Sequence, residues 1–137
     1  MPNKTLILSN WNPVTDEIVF SSDVASWNVS RALRDCAAGK HKSYIIDVSE
    51  AYKHNSAVEI DNGKVAAIVA AFIAGNECPP LLGVMENGAM WLIDGHHRLR
   101  ALRHLGVKEY TAYIIEEADN APYKIWYNGK RKPPFKV

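Results

Sequence analysis

Residues 92–106, LIDGHHRLRALRHLG, bring together the side chains of this sequence that are best suited to chemistry. An apolar run ends at Asp94, Gly95 allows a sharp backbone turn, and two histidines and an arginine precede leucines at helical spacing. The pattern predicts a strand that turns directly into a helix. Amide hydrogens in the first turn of a helix have no intrahelical partner, and with the positive end of the helix dipole they form an anion site.

Three side chains would add to this anion site. Arg98 can bind two phosphate oxygens with its guanidinium, and His96 and His97 contribute ring donors. The arrangement predicts a phosphate cradle without a P-loop. The alternative is structural: Asp94 would cap the helix and the histidines would simply be exposed. Spacing alone does not decide between the two.

A metal site built on these histidines is disfavoured. His96 and His97 are adjacent and therefore point in different directions on a helix, while His104 lies about 10 Å further along the axis. The cysteines Cys36 and Cys78 form no CxxC pair and are too few for a disulfide framework. A reducing, cytoplasmic location is therefore expected.

Length and composition indicate a compact globular protein. The 137 residues are 47% hydrophobic and 23% charged, which suits one domain with a real core and excludes a disordered or fibrous chain. The formal net charge of +1 provides no overall basic field for nucleic acid. No apolar stretch approaches ~20 residues, so no membrane partner is expected.

The rest of the chain predicts α and β elements in mixed order. Apolar residues at helical spacing indicate three helices, at residues 21–40, 63–75 and 96–106. Apolar runs and turn residues indicate a hairpin over 78–94 and strands at residues 5–9, 17–20, 43–49 and 107–117. Residues 50–61 are expected to form a loop with a short turn. The expected caps are Ser22 or Asp23 for the first helix and Asp61 or Asn62 for the second.

The motif DGHHR, preceded by VAAIVAAFIAGNECPPLLGV and followed by an apolar strand, resembles the ParB/sulfiredoxin superfamily. The shared pattern is a helix ending near a Gly, a Pro-led strand, a hairpin, and a D-G-[H/E]-[H/R]-R motif that opens a helix rich in Ala and Leu. The resemblance implies an α+β, single-domain fold with a small mixed sheet and about three helices. It divides the chain into an unmatched N-terminal extension packed on the domain (1–42), a core (43–116) and a basic C-terminal tail (117–137).

The resemblance also implies nucleotide binding. Members of this superfamily hold the phosphates of ATP, ADP or CTP at the motif, usually with magnesium. Carried over by position, the phosphate-binding residues are Gly95, His96, His97 and Arg98, with Asp94 beside them, and Asp94 or Glu59 is the candidate magnesium ligand. The implied activity is magnesium-dependent hydrolysis or transfer of a nucleotide phosphate.

Within the superfamily, the motif is most similar to that of the free-serine kinases. These place an acidic residue before the preceding helix, where it accepts the proton of the substrate hydroxyl. Glu59 is the candidate base at that place, and Asp94 and His97 are the other catalytic candidates. His54 and Asn55, in the same predicted loop, are candidate pocket residues.

Two other branches fit this sequence less well. Sulfiredoxins carry a catalytic cysteine where this chain has His96, so sulfiredoxin activity is not expected. Partition proteins of the ParB type carry a Glu-Arg-Arg version of the motif and a further helix-turn-helix domain, which is not expected here either.

Two further functions stay open at this point. Some members of the superfamily are nucleases, and the tail places Lys130, Arg131 and Lys132 among aromatic residues. That combination is suited to backbone contacts and base stacking, and hence to binding or cutting DNA. The other is a non-catalytic interaction module that keeps the fold without its chemistry. The oligomeric state is left undetermined.

Overall fold

The computed structural model of the protein describes residues 8–22 and 25–127, and over these residues the predicted α+β class is confirmed. The strands are β1 (Leu8–Ser9), β2 (Val19–Ser21), β3 (Ser26–Asn28), β4 (Ser43–Asp47), β5 (Leu81–Glu86), β6 (Ala89–Asp94), β7 (Glu109–Ile115) and β8 (Lys124–Tyr127). The helices are α1 (Val29–Ala37), α2 (Val48–Asn55), α3 (Asn62–Ile73) and α4 (His96–His104), with single-turn 3-10 helices at Glu117–Asp119 and Ala121–Tyr123. In this part of the chain, no helix has the length and apolar character needed to cross a membrane.

The contacts that residues make with one another in space divide the chain into two compact units. The first unit joins the two ends of the chain, residues 1–40 and 118–137, and the second unit is residues 41–117. The second unit contains the DGHHR motif and is described first.

The second unit is built on a mixed sheet with the strand order β4-β7-β5-β6. The pairs β4–β7 and β5–β6 are antiparallel, and β5–β7 is parallel. The predicted hairpin is present, and its turn at Asn87 and Gly88 has φ values of 53° and 77°. Positive φ at both central residues is the geometry that suits a two-residue hairpin turn and that Asn-Gly favours.

The core of the second unit lies where α2 and α4 pack against this sheet. Leu99 and Leu102, three residues apart on α4, are 2% and 1% exposed. Burial of each leucine contributes roughly 1.5–3 kcal/mol, so the predicted apolar face of α4 anchors the helix that carries the motif. The cluster comprises Val48, Ala51, Leu81, Leu92, Leu99, Leu102 and Ala112.

The prediction of a loop over residues 50–61 is wrong in its first half, because helix α2 extends to Asn55. The Asp47 carboxylate caps the helix by accepting a hydrogen bond from the Glu50 amide at 2.9 Å. Val48 and Ala51 are buried on its inner side. Eight mostly polar residues are too few for helical periodicity to show in the sequence, and packing against the core stabilises the helix instead.

Helix α1 is also shorter than predicted. Residues 21–40 do not form one helix, because β3 occupies residues 26–28 and pairs with β2 and β8. The helix begins at Val29, and its cap is Asn28 rather than Ser22 or Asp23. The Asn28 side chain accepts a hydrogen bond from the amide three residues on, at 2.9 Å, which is the usual geometry of an N-cap.

The first unit contains an antiparallel sheet with the order β1-β8-β3-β2. Strand β8 lies within the segment that the sequence predicts to be a basic tail. The sheet therefore draws strands from both ends of the chain.

Asp16 organises the polar interior of the first unit. Its buried carboxylate accepts hydrogen bonds from the Asn12 amide, the Asn28 side chain and the Arg34 guanidinium at 2.7–2.8 Å. Burial opposes ionisation, but these donors and the positive charge of Arg34 prevail and hold the pKa of Asp16 down at about 2. Asp16 is therefore a structural residue of this unit.

Candidate functional site

The junction between β6 and α4 has the sharp turn that the sequence predicts. Gly95 connects them with φ 99° and ψ 21°, a left-handed conformation that favours glycine. A Cβ atom at Gly95 would lie 2.7 Å from Leu81 Cδ2 and 3.1 Å from Arg98 Nη2. Only glycine therefore fits between the core and the arginine of the motif.

The amino terminus of α4 has no side-chain cap. The Gly95 carbonyl accepts the first helical hydrogen bond, from the Leu99 amide at 2.8 Å. The amides of His96, His97 and Arg98 consequently lack an intrahelical partner, and no side chain caps the helix at Gly95. The interpretation of Asp94 as an N-cap is wrong, because the cap residue is Gly95.

Arg98 holds the junction together. Its Nη2 lies 3.0 Å from Asp94 Oδ2 in an ion pair, and its Nη1 donates to the Pro79 carbonyl at 3.2 Å. The side chain is only 16% exposed. The guanidinium predicted to bind phosphate thus already uses part of its donor set to join β6, α4 and the segment before β5.

His97 connects the beginnings of two helices. Its Nε2 accepts a hydrogen bond from the Asp61 amide at 3.2 Å. Asp61 is the cap of α3, one of the two predicted residues, and its carboxylate accepts from the Gly63 and Lys64 amides at 2.8 and 3.3 Å. A neutral imidazole that accepts at Nε2 carries its proton at Nδ1, so His97 has one ring N–H available as a donor.

His96 is placed differently from His97, since its Nε2 atom is buried. Burial lowers the pKa of His96 to about 4. Asp94 and a backbone hydrogen bond with Leu92 favour the protonated form, and His97 disfavours it. The His96 ring is therefore neutral near pH 7, so this residue offers its backbone amide to an anion rather than a positive charge.

The remaining predicted residues lie on α2 and just after it. Asn55 ties α2 to β6, because its Oδ1 accepts from the Leu92 amide at 2.8 Å and its Nδ2 donates to the Ala51 carbonyl at 2.9 Å. His54 lines a mostly apolar cavity of about 230 Å³ whose lining includes none of residues 94–98. Glu59 is exposed, two residues before the Asp61 amide that bonds His97.

A larger cleft, of about 560 Å³, is lined by residues from the segments 72–80 and 110–111, and its lining likewise includes none of residues 94–98. The Pro79 carbonyl that accepts from Arg98 is flanked by Cys78 and Pro80, and both line this cleft. Tyr110 closes part of it by donating a hydrogen bond to the Cys78 carbonyl. The other lining residues are Phe72, Gly75, Asn76, Glu77 and Thr111. Sequence reasoning missed this cleft, because its residues come from two distant segments.

The two remaining predictions concern a magnesium ligand and the basic residues of the C-terminal tail. Among residues 8–22 and 25–127, no three His, Cys, Asp or Glu side chains gather into a group that could hold a metal ion. Asp94 stands as a single carboxylate with one oxygen on Arg98. Lys130, Arg131 and Lys132 lie outside the described residues.

Comparisons with known proteins add little to this geometry. No protein-family model matches the sequence, and the search of curated proteins gives no match. Among solved structures, the chain is similar to the crystal structure of sulfiredoxin from Arabidopsis thaliana, with a TM-score of 0.45 and 15% sequence identity. The match covers 55% of this chain and 85% of that chain.

Proposed function

We propose that residues 41–117 bind a nucleoside phosphate with its phosphates at the amino terminus of α4. The observation that carries the proposal is the helix start at Gly95, which has no side-chain cap. The amides of His96, His97 and Arg98 converge on that end of the helix with the positive end of its dipole, and this is the arrangement that binds phosphate in proteins.

The charge around this helix start supports an anionic ligand. The first turn of α4 carries no acidic residue. Arg98 neutralises the nearby Asp94 carboxylate and keeps further N–H groups for a ligand. His97 adds a neutral Nδ1–H donor, because its Nε2 is occupied by the Asp61 amide.

The cleft of about 560 Å³ supports a ligand larger than inorganic phosphate. Its volume lies within the usual range for small-molecule sites, and two of its lining residues, Cys78 and Pro80, flank the Pro79 carbonyl that accepts from Arg98. Phe72 and Tyr110 supply aromatic rings, and Asn76 supplies an amide. These groups suit a base and sugar attached to the phosphates.

The proposal extends to magnesium-dependent hydrolysis or transfer of a phosphate of ATP, ADP or CTP. Magnesium in such sites is usually held by one or two carboxylates and by the phosphates themselves, so Asp94 would hold the ion through Oδ1, since Arg98 contacts its Oδ2. The ion would neutralise charge on the phosphates. Glu59 is the proposed base. It lies two residues before Asp61, whose amide donates a hydrogen bond to His97 in the motif.

The test is calorimetric titration of the protein with ATP, ADP and CTP, with and without Mg²⁺. We expect one nucleotide to bind with a dependence on Mg²⁺. Arg98→Lys, which keeps the charge and loses the fork, should weaken that binding at least about tenfold, roughly 1.4 kcal/mol. Asp94→Asn should remove the Mg²⁺ dependence.

The matched control for His97→Ala is His104→Ala, the same change at the opposite end of α4. His97→Ala is expected to weaken nucleotide binding and His104→Ala to leave it unchanged, with thermal melting confirming that both variants fold. Absence of binding by the wild-type protein to all three nucleotides would overturn the proposal. Wild-type affinity in both His97→Ala and Arg98→Lys would do the same.

A further inference from the structure

A second cationic feature of α4 lies away from its amino terminus. The guanidinium carbons of Arg100 and Arg103 lie 5.1 and 4.0 Å from the centre of the Tyr52 ring, which α2 presents. These distances are within the range of cation–π contacts. Tyr52, Arg100 and Arg103 are called the arginine surface below.

Neither Arg100 nor Arg103 forms an ion pair with a carboxylate of the described residues. The ion pairs found among residues 8–22 and 25–127 involve Arg34, Lys40, Lys53 and Arg98, but not Arg100 or Arg103. Arg103 is exposed and Arg100 is half-buried. The contacts with Tyr52 therefore hold two guanidinium groups near the surface, where their N–H groups can reach a ligand.

This positive charge is local. Residues 41–117 contain seven Lys and Arg against ten Asp and Glu, so the unit as a whole is acidic. Helix α4 has three arginines, three histidines and no acidic residue. A polyanion would be repelled by most of the unit and attracted to this helix, which makes the contact directional.

We propose that the arginine surface binds single-stranded nucleic acid. Ordered guanidinium groups pair with phosphate oxygens, and their planes also stack on unpaired bases. An acidic peptide would use the charge but not the planes, so a nucleic acid strand fits the surface better. Arg103 lies seven residues along α4 from His96, about 10 Å, and Arg100, two residues after Arg98, lies about 200° around the helix from it. The arginine surface therefore uses another face of α4 and does not depend on the proposed nucleotide site.

The test is fluorescence anisotropy of the full chain with a labelled 20-nucleotide oligothymidylate at several salt concentrations. The double variant Arg100→Ala/Arg103→Ala should weaken binding about tenfold or more at 0.1 M salt. The plot of log K against log salt has a negative slope, and the double variant should make it shallower by about 1.4. Each of the two lost phosphate contacts on a single strand accounts for about 0.7 of that slope. The matched control is Lys42→Ala/Lys64→Ala, which removes two exposed cations of the same unit from elsewhere and should leave the slope nearly unchanged.

Tyr52→Leu keeps both arginines and removes the ring that they contact. It therefore tests whether binding needs the arginines to be held in place and not only their positive charge. We expect it to weaken binding about threefold, with thermal melting confirming the fold of every variant. Unchanged binding in the arginine double variant, or equal loss in the lysine control, overturns the proposal. Wild-type affinity in Tyr52→Leu also overturns it, as does competition by a polyglutamate peptide as strong as that by the oligonucleotide, which would indicate an acidic protein partner. Nucleotide calorimetry on the same variants reports separately on the site at Gly95.

Discussion

At the scale of the residue, the motif shows that neighbouring side chains of similar chemistry have different tasks. His96 has a buried Nε2 atom and is neutral, His97 accepts a hydrogen bond from the Asp61 amide at the start of α3, and Arg98 pairs with Asp94 and a backbone carbonyl. The sequence presents all three as phosphate ligands. Their surroundings make the backbone amides and Arg98 the main candidates for that task.

The buried His96 makes stability depend on pH. The folded protein keeps His96 unprotonated down to a pKa of about 4, whereas an unfolded chain protonates histidine near 6.5. Between these values the unfolded state binds more protons. The free energy of unfolding should therefore fall as the pH is lowered from about 6.5 to 4, by up to about 3 kcal/mol.

Denaturant unfolding at pH 7, 5.5 and 4.5 measures this dependence. His96→Asn should flatten the change, because asparagine does not titrate. His104→Asn is the control, since His104 is exposed at the end of the same helix. If the pH dependence of the free energy of unfolding is undiminished in His96→Asn, other titrating groups cause it.

At the scale of the element, the position of α4 depends on its first residue and on its buried face. Gly95 sets the start, and the leucines at residues 99 and 102 hold the helix against the sheet. Helix α2 is then attached to β6 by Asn55, whose side chain bonds the Leu92 amide. The candidate site therefore rests on hydrogen bonds and packing between elements, and not on the motif alone.

Gly95→Ala tests the helix start. A left-handed alanine costs about 1–2 kcal/mol, and its Cβ would also displace Leu81 or Arg98. Gly106→Ala is the matched control, because Gly106 has φ 73° and nothing within 4 Å of an added Cβ. We expect Gly95→Ala to destabilise more than Gly106→Ala in urea unfolding and to abolish nucleotide binding. Equal stability of the two variants with intact binding would show that the close contact at Gly95 is unimportant.

At the scale of the whole molecule, the two ends of the chain meet in one unit. Strand β8 pairs with β1 on one side and β3 on the other, and its Ile125 is fully buried. Strand β8 lies between β1 and β3 in that sheet and joins them, whereas β2 and β3 pair directly with each other.

Truncation tests this dependence on β8. A chain ending at residue 117 should lose hydrogen-exchange protection of the β3 amides that bond β8, since that partner strand is gone. A chain ending at residue 127 keeps β8 and should retain that protection. Protection of β3 in the shorter chain would show that the unit folds without its central strand.

The sequence by itself determined the features that are encoded locally. The hairpin turn at Asn87 and Gly88, the junction at Gly95 and the apolar face of α4 each depend on residues within a few positions of one another, so spacing and backbone preference were sufficient to predict them. The tertiary structure decided which distant groups meet. The Asp61 amide reaches His97, Pro79 reaches Arg98, and Tyr52 reaches Arg103, all across chain separations that periodicity does not register. Helix α2 and strand β8 also went unpredicted because short elements are stabilised by non-local packing and pairing rather than by their own sequence.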